Sequence, residues 1–213
     1  DPRDPTGEMP FIAALRAEHG LPSVAVAQAW LDRADCPAVL KAQAAHAFVR
    51  GVRHKPHRGQ MDDARWRAGY ARLAPLGLHF ELQAPSQELA AAARLARDFA
   101  DTTIVLNHAG LPLPGELDGW RTAMAELARC ANVAVKISGL GNLDAPAGPQ
   151  VIGTVLALFG TRRAMFASNY PVDSLRVTYD AIYELFDEAT RGLSAAERRD
   201  LFHDNAVRIY RME

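Results

Sequence analysis

Along this chain of 213 residues, short apolar runs rich in Val, Ile and Ala alternate with longer stretches whose apolar positions recur at helical spacing. Six runs read as strands: Ser23–Trp30, Ala47–His54, Leu78–Gln83, Thr103–His108, Asn132–Gly139 and Arg163–Asn169. Helices are predicted over Met9–His19, Ala38–Ala45, Asp62–Leu73, Glu88–Ala100, Trp120–Ala131, Val151–Phe159 and Tyr179–Thr190. Gly20 stops the first of these. Ser194-Ala195-Ala196-Glu197 reads as a capping box for a further helix, and the chain closes on Asn205–Tyr210. The stretches Asp1–Glu8 and Gly141–Pro149, rich in Pro, Gly and polar residues, read as loops.

The strands end on polar groups near positions 30, 54, 83, 108, 138 and 169, at intervals of 24 to 31 residues. That is the length of one β/α unit, so six successive units predict a parallel sheet whose carboxyl edge collects functional groups. An open doubly wound sheet and a (β/α)8 barrel both fit such a pattern. No Gly-x-Gly-x-x-Gly follows any strand, which favours the barrel.

Composition narrows the partners. With 24 basic and 25 acidic residues and a net charge of -1, nothing attracts nucleic acid or a membrane surface, and a small-molecule substrate is expected. Two cysteines, Cys36 and Cys130, without Cys-x-x-Cys spacing, fit a reducing, cytoplasmic setting. No apolar run reaches the ~20 residues of a membrane span. One domain over residues 1–213 is expected.

Several segments together resemble the amidohydrolase-2 branch of the amidohydrolase superfamily. They are Arg50-Gly51-Val52-Arg53-His54, Leu82-Gln83, Val105–Gly110, Val135–Leu140, Phe166–Asp173 and Asn205–Tyr210, in the family's order. The resemblance implies a (β/α)8 TIM barrel and a hydrolase, with lactonases acting on sugar and dicarboxylate lactones among its members. It also implies a first strand with a His-x-His pair, which this sequence does not contain, so one or two N-terminal β/α units are expected to be missing. Asn169 stands where the superfamily usually offers an aspartate as metal ligand and general base, and an amide is a poor substitute for either.

By that resemblance His108 is an active-site histidine, able to bind a divalent metal such as zinc or to polarise a substrate carbonyl. Arg53, His54, His57 and Arg58 form a basic cluster at one strand end, and a guanidinium there suits a carboxylate or an oxyanion. Arg53 is assigned to catalysis, with His54, His57, Gln83, Ser138 and Asn169 expected at the substrate. Asp173 is the nearest carboxylate able to replace the missing base, its alternative being a helix N-cap. Lys136, inside a buried strand, requires a carboxylate partner, for which Glu81 is available.

The chemistry expected is opening of a lactone by water, with or without one zinc ion. A metal-dependent decarboxylase and a catalytically degenerate binding or scaffold barrel remain as alternatives. Unpaired sheet edges leave homo-oligomerisation open.

Overall fold

The computed structural model describes residues 3–143 and 147–212. In chain order its main elements are α1 (Glu8–His19), β1 (Ala25–Gln28), α2 (Cys36–Ala44), β2 (Val49–His54), α3 (Ala64–Tyr70), β3 (His79–Leu82), α4 (Leu89–Asp98), β4 (Ile104–Leu106), α5 (Leu117–Ala128), β5 (Val133–Ile137), α6 (Ala147–Phe159), β6 (Ala164–Phe166), α7 (Tyr179–Ala189), α8 (Ala195–Arg199) and α9 (Asn205–Tyr210). Local chemistry accounts for several boundaries. Gly20 ends α1 in the left-handed conformation, Asp63 caps α3 by accepting from the Trp66 amide, and Ser194 and Glu197 form the capping box at α8.

Some expectations shift. The continuous helix expected over Asp62–Leu73 is a 3-10 turn, Gln60–Asp62, followed by α3, because the Asp63 cap restarts the helix. The loop expected over Gly141–Pro149 lies partly outside the described residues, and α6 begins within it. A π-turn over Asp200–Asp204 joins α8 to α9 and carries Phe202.

All five strand pairings are parallel and the order is strictly β1-β2-β3-β4-β5-β6. A doubly wound sheet reverses its strand order midway, and this one does not. Right-handed crossovers that always step the same way put the helices linking successive strands on one face, as in a barrel wall.

Register then decides what each face carries. Gln28, Arg53, Glu81, Val105 and Ala134 lie in one row across neighbouring strands. In parallel pairing such residues point the same way, and Val105 and Ala134 pack with Met165 and Tyr210 in a small inner cluster. The alternate residues Phe80, Leu82, Ile104, Leu106, Val133 and Val135 face the helices in the main core. There the Trp66 and Tyr70 rings stack with centroids 5.4 Å apart and meet Phe80 edge-on, each ring burial stabilising the fold by roughly 1.5–3 kcal/mol.

The inner face also holds a charged group. Lys136 Nζ lies 2.8 and 3.1 Å from the two Glu81 carboxylate oxygens, and the Tyr210 hydroxyl donates to the same carboxylate. The pairing expected for Lys136 is therefore present. Burial alone would push the Glu81 carboxyl up, but the His79 ring 3.6 Å away, the Lys136 ammonium and the Tyr210 hydroxyl hold it well below the ordinary carboxylate range. Among the described residues no helix is long and apolar enough to cross a membrane.

Candidate active site

Strand β4 ends in an unusual piece of backbone. His108, Ala109, Gly110 and Leu111 all have positive φ, between 49° and 72°, closed by a hydrogen bond from the Leu111 amide to the His108 carbonyl. A left-handed conformation costs an L-residue roughly 1–2 kcal/mol, so three non-glycine residues within a run of four need compensation from their surroundings. Ala109 and Gly110 are buried, and Trp120 Nε1 donates to the Ala109 carbonyl at 2.7 Å. The turn holds the half-buried His108 ring at the carboxyl edge of the sheet.

There His108 Nδ1 is 2.9 Å from the hydroxyl of Ser138, at the end of the neighbouring β5. The next residue, Gly139, has φ 67°, and a Cβ on it would stand 3.0–3.2 Å from the imidazole, so a glycine is required for the ring to sit where it does. Burial lowers the His108 pKa below its ordinary value. The Lys136 ammonium lowers it further, the Asp173 carboxylate opposes, and Lys55 and Arg53 lower it again. Four charged groups, separated by as many as 120 residues (53 to 173), thus act on one imidazole.

Asp173 is buried inside a 3-10 turn, Val172–Leu175, and is not a cap: Thr178 caps α7 instead. Its Oδ1 accepts from Asn169 Nδ2 at 2.8 Å. Asn169, also at positive φ, therefore holds this carboxylate in place.

The remaining candidates divide by face. Arg53 shares the inner row with Glu81, is exposed, and is ion-paired to no carboxylate among the described residues. Gln83, two residues beyond Glu81, is half-buried on the same side. His54 alternates to the helix side. Its Nδ1 accepts from Trp66 Nε1 at 3.0 Å and from the Leu31 amide at 3.3 Å, and burial lowers its pKa. The structure does not bring His54 to His108. His57 stays at the surface, with Nδ1 3.2 Å from the Arg58 carbonyl.

Sequence reasoning treated Lys136 as structural and passed over Lys55 and Gly139. Lys55 was visible as the first residue after the β2 run. The role of Gly139 depends on how closely β4 and β5 approach, which no local pattern records.

The donor set does not fit a metal ion. Among the described residues no three His, Cys, Asp or Glu side chains converge. His108 and Asp173 are the pair available, and the Lys136, Lys55 and Arg53 charges that already depress His108 would oppose a further cation.

The amidohydrolase family model (Amidohydro_2) matches residues 12–212. Over its whole length the chain is 38% identical to the uncharacterized protein y4mH of Sinorhizobium fredii, covering 77% of that protein. It is 35% identical over 190 residues to an L-fucono-1,5-lactonase of Burkholderia multivorans, with 76% of this chain and 62% of that relative aligned. The match thus spans less than two thirds of the lactonase's own length. Among solved structures, an amidohydrolase from Burkholderia multivorans with bound zinc superposes with a TM-score of 0.87 at 27% identity, over 97% of this chain and 79% of that one. Six sequential β/α units of TIM-barrel type, with polar groups gathered at their carboxyl edge, agree with that match, and the chain belongs to the amidohydrolase family.

Proposed function

We propose that the protein is a lactonase that opens a sugar or dicarboxylate lactone by attack of water. The observation that carries this reading is the placing of one buried carboxylate, Asp173, and three cationic groups, Lys136, Lys55 and Arg53, around the His108 imidazole. Ester hydrolysis needs a proton acceptor for water and positive or hydrogen-bonding groups for the oxyanion, and this arrangement offers both.

In the mechanism that follows, Asp173, oriented by Asn169, takes a proton from water as its oxygen bonds to the lactone carbonyl carbon. The Ser138 hydroxyl donates to His108 Nδ1, which places the ring proton on Nε2 and aims a donor at the developing oxyanion. Arg53 and Lys55 add positive charge at the same edge and favour a substrate bearing a carboxylate or several hydroxyls. On collapse the C–O ring bond breaks and the proton held by Asp173 returns to the leaving alkoxide. The product is the open hydroxy acid. The likeness to an L-fucono-1,5-lactonase supports a sugar 1,5-lactone as the first substrate to try.

The test is a lactone panel, sugar 1,4- and 1,5-lactones beside dicarboxylate lactones, followed by acid release in weak buffer. Turnover above the spontaneous rate, strongly reduced in His108→Asn, is expected. A folded protein inert across the panel would sink the reading.

A further inference from the structure

At the opposite, amino-terminal edge of the sheet lies a cavity of about 380 Å³ that none of the candidate active-site residues lines. Its rim carries Arg162, Arg163, Arg208 and Arg211, with Asp101 as the one carboxylate, whereas the whole chain has a net charge of -1. Where these guanidinium groups are engaged, the partners are neutral oxygens. Arg163 donates to the carbonyls of Ala128, Cys130 and Val133 at 2.9–3.3 Å, Arg208 to the Asn205 amide oxygen at 2.8 Å, and Arg211 to the carbonyls of Gly77 and Arg50 at 2.7 and 3.3 Å. Among the described residues none of the four is ion-paired to a carboxylate. Neutral partners hold the side chains in place and leave their charge uncompensated.

A second observation is independent of the arginines. His79 also lines this cavity and is only 5% exposed; its Nε2 faces Glu81 Oε1 at 3.6 Å, beyond hydrogen-bond range, and its Nδ1 has no hydrogen-bond partner among the described residues. The ring is pinned between Gly51, where a Cβ would come within 2.4 Å of it, and the edge of the Tyr210 ring, with centroids 5.0 Å apart. Buried polar groups in native proteins are rarely left unpaired, and the unpaired Nδ1 of a ring held so firmly marks a place for a bound polar species.

We propose that this cavity is a second ligand site, for a small phosphate-type anion, with His79 Nδ1 hydrogen-bonding the anion from the floor while Nε2 faces Glu81, and the arginines neutralising it at the rim. Several guanidinium forks exceed what the two oxygens of one carboxylate can accept and match a tetrahedral dianion. The anion is inorganic phosphate or the phosphate group of a small monoester. This inference stands apart from the lactonase reading, since it concerns the other end of the sheet and its test does not involve turnover.

The full chain is titrated calorimetrically with inorganic phosphate, and in parallel with glycerol 3-phosphate, at constant ionic strength. Saturable one-to-one binding is expected, with the His79 ring resonances moving along the same isotherm. Arg162→Glu, whose wild-type side chain makes no hydrogen bond or ion pair among the described residues, should weaken binding at least about tenfold with an unchanged melting temperature. Tighter binding of the monoester assigns the site to an organic phosphate, and tighter binding of phosphate assigns it to the free ion. Non-saturating heats, an unaltered affinity in Arg162→Glu, or His79 resonances that do not respond would each overturn the proposal. His79→Gln, which keeps a donor at the floor, should retain more affinity than His79→Phe; equal loss in both counts against a hydrogen bond from the floor.

Discussion

Ser138 Oγ stands 2.9 Å from His108 Nδ1, across the gap between the ends of two neighbouring strands. A hydroxyl in that position fixes the orientation of the imidazole and, where it donates to Nδ1, leaves the ring proton on Nε2. Removing either partner is the most direct probe of the site. His108→Asn is expected to lower kcat/KM by about 10²–10⁴-fold, in the range of a lost acid–base or polarising group, whereas Ser138→Ala should cost about tenfold, mainly in kcat. Initial rates on the best lactone of the panel measure both.

The pH profile follows from the charges around the ring. Burial first, then Lys136, Lys55 and Arg53, lower the His108 pKa below its ordinary 6.5. Activity that needs the neutral imidazole therefore persists below pH 6.5 and declines only as the pH falls through the lowered value. Stability has the same sign: below pH 6.5 the unfolded chain binds more protons, so the contribution is full above 6.5 and is lost on acidification. Lys55→Met removes one of these cations, and its acid limb is expected to move to higher pH. An unmoved limb would show that another group controls it.

Asp173→Asn keeps an oxygen to accept from Asn169 but cannot hold a proton from water. A fall of about 10²–10⁴-fold in kcat is expected with little change in melting temperature. Asn169→Ala should show a smaller kcat loss, because it releases the carboxylate without removing it.

Gly139→Ala tests the close approach of β5 to His108. The new Cβ, at φ 67° and 3.0 Å from Nδ1, is expected to cost about 1–2 kcal/mol of stability in backbone strain. It should also displace the ring from Ser138. Thermal melting reads the first effect and kcat the second.

The Lys136–Glu81 pair is expected to be structurally demanding. Lys136→Met leaves the Glu81 carboxylate buried without its ammonium partner, a situation that costs about 3–5 kcal/mol when both members are fully buried. The lower end applies here, since the Lys136 side chain is 21% exposed. The double variant Lys136→Met/Glu81→Met should recover much of the loss, because it removes the stranded charge. Urea denaturation of the single and double variants measures the difference.

Much of this protein is determined locally and can be read from the chain alone. The period of the apolar runs specified six strands and the helices between them, and regular spacing specified parallel pairing, because a β/α unit has a nearly constant length. The polar residues at strand ends marked the edge where His108 and Ser138 meet. The cost of a bare ammonium in a buried strand was enough to pair Lys136 with a carboxylate before any contact was seen. Other features belong to the tertiary structure. Strand alternation sends Arg53 and His54 to opposite faces, so two adjacent residues that look equivalent in sequence divide between the inner face and the Trp66 side of the core. The left-handed turn at His108 persists because Trp120 and the surrounding packing hold it, and no propensity of Asn107–Leu111 calls for it. His79, the pair Arg162–Arg163 and the pair Arg208–Arg211 lie far apart in sequence, and parallel strands with their linking segments bring them to one cavity. Local pattern depends on a few neighbouring residues, whereas these placements depend on the register and curvature of the whole sheet, which become fixed only when the strands pack.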